Sequence, residues 1–157
     1  EPLMIDFGHA GALKAVLTNQ SASFQADALD ALARKDLDAL AGLEKTVPEI
    51  AVFQNAYGDL DTVLDALKGH EMLDQACIDI SQVRRGLSAE QISWYCDLGE
   101  THGLNYHTGL VFGIYSLKRD QLLVRGGRYD HVGESFGRAR AATGFSADLK
   151  TLVRLAN

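Results

Sequence analysis

Long apolar runs are missing from this sequence. No uninterrupted stretch approaches the roughly 20 residues needed to cross a bilayer. Nothing at the start resembles a signal peptide, and no membrane partner is expected. Cysteine is scarce as well, with Cys77 and Cys96 the two in 157 residues. A pair cannot make a disulfide framework, which favours a reducing cytoplasm. Cations are scarce in residues 1–100, where 7 Lys and Arg face 17 Asp and Glu. Phosphate contacts need cations, so this part of the chain is a poor surface for nucleic acid. Residues 101–157 reverse the balance, with 8 basic residues against 4 acidic, and are the better place for an anionic ligand or an acidic partner. What is present, 46% hydrophobic and 23% charged residues, suffices for the core of one globular domain. The chain opens at Glu1-Pro2-Leu3 without a methionine, and is expected to be a piece of a longer protein.

The hydrophobic period changes along the chain. Leu3 to Phe7 reads as a short apolar strand carrying one acid, and Gly8-His9 leads into a helix through Leu13, Val16 and Leu17. His9 and His70 fall in expected turns and are predicted to be solvated. From Gln20 to about Leu87 the pattern is helical: Phe24, Ala28 and Leu32 share one face, and Leu37, Leu40 and Leu43 follow a new start at Asp36. Pro48, Gly58, Asp59 and Gly69 punctuate further short helices. After Ser88 the residues alternate. Ile92, Trp94 and Cys96 make one strand, for which the formal capping box of Ser88 and Gln91 is discounted. Leu110, Phe112 and Ile114 make a second, a polar turn at 116–120 leads into Leu122 and Val124, and Ala142 to Phe145 form a last strand before a helix from Asp148 to Leu155. The expected architecture is α+β: an antiparallel sheet from residues 1–19 and 89–157 with a helical insertion at 20–88.

The most informative segment is Gly126-Gly127-Arg128-Tyr129-Asp130. Adjacent glycines at a strand end let a ligand approach the backbone closely. Arg128 offers a planar fork of donors, and Tyr129 a ring face and a hydroxyl. That combination suits a pocket for a small polar molecule. A glycine bulge with Arg128 tied to Asp130 or Asp97 is the structural alternative.

Beyond about Asp97 the chain resembles the late catalytic core of class II histidyl-tRNA synthetases. Gly103-Leu104-Asn105-Tyr106-His107 with Val111-Phe112 is similar to their first histidine segment, R-G-L-D-Y-Y followed by T-V-F-E. Gly126 to Asp130 is identical to their second, and Gly144 to Leu149 resembles their third class-defining motif. The departures are specific. His102 stands at the catalytic arginine, Asn105 at an aspartate, Thr151 at the arginine that would hold ATP, and Asp148 at a glycine. A carboxylate there, if it faces the site, would repel a triphosphate by roughly 4 kcal/mol at about 4 Å. Residues 20–90, with 6 basic against 13 acidic residues, are wrong for gripping a tRNA.

Tyr106-His107-Thr108-Gly109, Phe136-Gly137-Arg138 and Ala142-Thr143-Gly144-Phe145-Ser146 resemble more closely the regulatory subunit of ATP phosphoribosyltransferase, a synthetase paralogue of histidine biosynthesis. The resemblance implies a non-catalytic subunit in a hetero-oligomer with the short-form catalytic subunit. The resemblance further implies that the regulatory subunit is needed for the catalytic subunit's activity and for feedback inhibition, with L-histidine as allosteric ligand and a homodimer in the full-length protein. A fragment of a divergent synthetase is the rival. By the same resemblance Tyr106, His107, Gly126, Gly127, Arg128, Tyr129 and Gly144 would bind histidine. Tyr106 could instead be a core aromatic, since alternate strand residues face opposite ways and only one of Tyr106 and His107 should reach the pocket. No catalytic residue and no cofactor is expected, and the spacing of His102, His107 and His131 gives no metal site. Arg119, Arg125, Arg138 and Arg140 form a loose basic band, either solvated or facing an acidic partner.

Overall fold

The computed structural model describes residues 2–87, 92–101 and 106–156. The capping box of Ser88 and Gln91, and the substituted positions His102 and Asn105, lie outside the described residues. Six strands form one sheet: β1 (Leu3–His9), β2 (Tyr57–Asp59), β3 (Ile92–Asp97), β4 (Leu110–Ser116), β5 (Gln121–Arg128) and β6 (Thr143–Ala147). Their order across the sheet is β2-β3-β1-β4-β5-β6. The helices are α1 (Ala10–Leu17), α2 (Ala22–Arg34), α3 (Leu37–Leu43), α4 (Ile50–Asn55), α5 (Leu60–Ala66), α6 (Asp74–Gly86) and α7 (Leu149–Ala156).

The α+β architecture is the expected one, with two refinements. The sheet is antiparallel except for the pair β1 and β3, which runs parallel with Ile5 beside Trp94. Parallel neighbours cannot be joined by a tight turn and need a long crossover, which the helical segment between them supplies. That segment also carries β2, which pairs with β3 at the edge of the sheet. Gly58, expected as a helix stop, sits in β2 at φ +133°, while Asp59 caps α5 as expected, accepting from Thr62 N at 3.1 Å.

Helix ends follow local chemistry. Ser21 caps α2 and Asp36 caps α3, each accepting a backbone N–H three residues on. Of the face expected at Leu37, Leu40 and Leu43, Leu40 is buried and Leu37 is 64% exposed. The alternation of β1 and β3 turns Ile5, Phe7 and Cys96 toward the helices, where all three are buried. There Phe7 stacks on Trp94 at 6.1 Å, and the Arg84 guanidinium of α6 lies 4.1 Å above the Trp94 ring. One apolar cluster joins these strand residues to Leu13, Leu32, Ile50, Leu60 and Ile80 of the helices. The opposite face of the sheet carries Asp6 and Gly8 of β1, Asp97 of β3 and Gly113 and Tyr115 of β4, and it floors a cavity.

His9 is not solvated. β1 runs on through it and its ring turns inward, leaving the residue 7% exposed. The Ala12 N–H donates to Nδ1 at 3.2 Å, capping α1. That leaves the ring proton to Nε2, which faces Asp79 Oδ2 at 3.1 Å. His70 is exposed in its turn, as expected.

Candidate functional site

A cavity of about 560 Å³ opens on the face of the sheet away from the helices. Its rim at one end is aromatic. Tyr106 and Tyr129 have ring centroids 4.8 Å apart, and His107 meets Tyr106 edge-on at 5.3 Å. Both Tyr106 and His107 line the cavity. The expectation that only one could do so assumed a strand, but β4 begins at Leu110 and the pair lies before it, free of the alternation that strands impose. His107 is held through its backbone, because Lys14 Nζ of α1 donates to its carbonyl at 2.7 Å. Next to it, Thr108 N donates to Arg128 O at 2.9 Å.

Glycines set the depth of this end. A Cβ at Gly127 would stand 2.7 Å from Cδ2 of His107, and one at Gly144 would stand 2.1 Å from the Tyr129 hydroxyl. Both distances are far inside van der Waals contact, so the aromatic groups occupy the space that side chains would take. Gly126 and Gly144 line the cavity with the three rings, and Gly127 lies behind His107.

Arg128 is set apart from this group. Its Nε donates to both oxygens of Asp130 at 3.0–3.1 Å, and it lines a second cavity on the other face of the sheet. Hydrogen bonding to Arg128 holds the Asp130 carboxyl below the usual range. Of the structural alternatives for Arg128, Asp130 is the partner found.

Asp148 does not face the cavity. Its carboxylate turns back to cap α7, accepting from Lys150 N at 3.0 Å, Thr151 N at 3.2 Å and Thr151 Oγ1 at 2.9 Å. Those bonds hold it below the usual carboxylate range. The expected repulsion of a triphosphate by Asp148 therefore does not follow. Thr151 is buried and also meets Gln121 Nε2 at 3.3 Å, so the position that resembles an ATP-binding arginine serves to pin α7 to β5.

The other end of the cavity holds residues to which the sequence drew little attention. Asp6, Asp97, Glu100, Tyr115 and Arg125 line it. The Asp6 carboxyl is pushed up to about 7 by burial first, then by the charges of Asp97 and Glu100, with Lys35 opposing them. The available signal was the lone acid in the apolar strand 3–7: alternation with Ile5 and Phe7 sends Asp6 to the open face.

Fold and cavity together define a class II synthetase-like core. The chain belongs to the histidyl-tRNA synthetase family, whose model matches residues 1–152. It is 38% identical over 96% of its length to the ATP phosphoribosyltransferase regulatory subunit of Pseudomonas syringae pv. syringae, and 35% identical over 98% to that of Burkholderia lata. It spans 42% of the length of each. Among solved structures it is similar to an ATP phosphoribosyltransferase regulatory subunit/histidyl-tRNA synthetase from Bacillus halodurans. That match has a TM-score of 0.75 and 22% identity, and covers 100% of this chain and 45% of the other. The ATP phosphoribosyl transferase HisG:HisZ complex from Thermotoga maritima matches with a TM-score of 0.66 and 18% identity, covering 93% and 53%. These likenesses confirm the class II fold expected from the sequence.

Proposed function

We propose that this chain is the histidine-sensing part of a regulatory subunit of ATP phosphoribosyltransferase, without catalytic activity of its own. The full-length protein, a homodimer in the cytoplasm, assembles with the short-form catalytic subunit and is needed for its activity. L-Histidine occupies the cavity beneath Tyr106, His107 and Tyr129 and passes inhibition to the partner by linkage. It binds one conformation of the complex more tightly and shifts the population of the active state. The observation that carries the reading is identity of up to 38% to regulatory subunits over nearly the whole chain. It is joined to a cavity whose aromatic end is sized by glycines. An imidazole both donates and accepts, and a tyrosine hydroxyl and a second imidazole answer both needs.

The match to the histidyl-tRNA synthetase family favours a second reading, a divergent synthetase that activates histidine with ATP. One preparation separates the two. Full-length protein is added to the catalytic subunit and phosphoribosyl transfer is followed with and without histidine, in parallel with ATP–pyrophosphate exchange. Stimulation that histidine reverses, with no exchange, is the expected result; histidine-dependent exchange overturns the regulatory reading.

A further inference from the structure

The inner end of the cavity carries two opposite charges that do not satisfy each other. Asp6 of β1 sits opposite Gly113 of β4, Gly113 opposite Arg125 of β5, and Arg125 opposite Ser146 of β6. These four residues form one row across the open face of the sheet. Adjacent strands lie about 4.8 Å apart, which puts the backbones of Asp6 and Arg125 roughly 10 Å from each other with a glycine between them. The Tyr115 ring leans back over that glycine, where a Cβ on Gly113 would stand 2.8 Å from Tyr115 Cε2. After burial, Asp6 and Glu100 push the Tyr115 hydroxyl up and Arg125 pulls it down, so this hydroxyl lies in the field of both charges.

Neither charge has a strong partner among the described residues. Asp6 Oδ1 is buried and accepts no hydrogen bond among the described residues, a costly state for a polar oxygen. Among the described residues, Arg125 enters no side-chain hydrogen bond or ion pair, whereas Arg34, Lys35, Lys68 and Arg128 each pair with a carboxylate. Both line the same cavity as the aromatic group. Arg125 and Gly127 are two residues apart on β5, roughly 7 Å, a span that an α-amino acid with an imidazole side chain covers.

The geometry points to Asp6 and Arg125 as a clamp for the two charges of a zwitterionic α-amino acid. Arg125 takes the carboxylate through its fork of donors, and Asp6 takes the ammonium. Tyr115 closes the floor between them, and Tyr106, His107 and Tyr129 hold the side chain. This assignment rests on the histidine reading above and adds to it the requirement that the ligand carry both a free carboxylate and a free amine.

The test uses the full-length chain and calorimetric titration with three ligands: L-histidine, L-histidinol, which lacks the carboxylate, and imidazolepropionate, which lacks the amine. Each is titrated into the wild type, Arg125→Gln and Asp6→Asn. The wild type should prefer histidine to both analogues by about 10- to 100-fold, the range for a charge-assisted hydrogen bond. Arg125→Gln should erase the preference over histidinol alone, and Asp6→Asn the preference over imidazolepropionate alone. Such ratios are taken within one variant, so a reduced folded fraction does not alter them. Variants that keep both preferences, or weaken all three ligands equally, overturn the clamp and leave the histidine reading standing. A wild type that binds none of the three overturns both.

Discussion

The hydroxyl of Tyr129 fills the space that a side chain at residue 144 would need, with a Cβ there standing 2.1 Å from the oxygen. Tyr129 directly follows β5 and Gly144 lies at the start of β6, two strands that pair at Gly127 and Gly144. Gly144→Ala must therefore move the Tyr129 ring. The expected outcome is at least tenfold weaker histidine binding to the full-length protein with a melting temperature close to the wild type, read by calorimetric titration and thermal unfolding. Unchanged affinity would place the ligand elsewhere.

The His9–Asp79 contact links the end of β1 to α6, and the same ring caps α1. His9→Leu removes the cap and one of two partners of the half-buried Asp79 carboxylate, which keeps its bond from Gln75 Nε2 at 2.7 Å, for a loss of about 2 kcal/mol. His9→Asn, whose side-chain oxygen can accept from the same helix, should recover part of it. Urea denaturation of the two variants beside the wild type measures the difference. Equal losses for both would show that the ring's packing matters and its hydrogen bonds do not.

Asp6 gives stability a pH dependence. Its carboxyl is raised from 3.8 to about 7 in the folded chain, so the folded state holds this proton more tightly than the unfolded state does. Its stabilising effect is complete below pH ~4 and is lost as pH rises through about 7. The groups facing it are Asp97 and Tyr95 of β3, Glu100, Tyr115 of β4, Arg125 of β5 and the Lys35 ammonium. Asp6→Asn should flatten the fall in melting temperature between pH 4 and pH 7 relative to the wild type. An identical slope in the variant assigns the dependence to other groups. The clamp carries its own sign: an ammonium ligand favours ionised Asp6, so histidine should raise melting temperature more at pH 8 than at pH 6.

Trp94 is the one tryptophan in the chain, and Arg84 covers its ring. Arg84→Ala should expose the indole, red-shift its fluorescence and cost about 0.5–1 kcal/mol. The emission maximum and a denaturant titration check both parts. An unshifted maximum would mean that other groups shield the ring.

Much of the sheet was legible because burial of one face imposes a period of two. Ile92, Trp94 and Cys96 announce β3, and Leu110, Phe112 and Ile114 announce β4. The parallel pairing of β1 with β3 was not legible, because strand neighbours in space depend on a crossover of more than 80 residues and leave no local mark. Tyr57–Asp59 escaped for a related reason: three residues are too few to show alternation, and their pairing partner lies far along the chain. The aromatic end of the cavity could be anticipated from Gly126 to Tyr129, whose motif is contiguous. Asp6 and Arg125 could not be paired by eye, since they become neighbours only across Gly113. His9 was misplaced because a histidine after glycine suggests a turn, whereas its two ring nitrogens are both matched inside the fold.

The central claim is that the ring of Tyr129 helps enclose L-histidine, and titrating histidine into the full-length protein and its Tyr129→Ala variant tests it most directly. Saturable heat at one site per chain in the wild type, lost in a variant that still melts cooperatively, is the predicted result. The same heat in both proteins, or none in the wild type, would contradict the account.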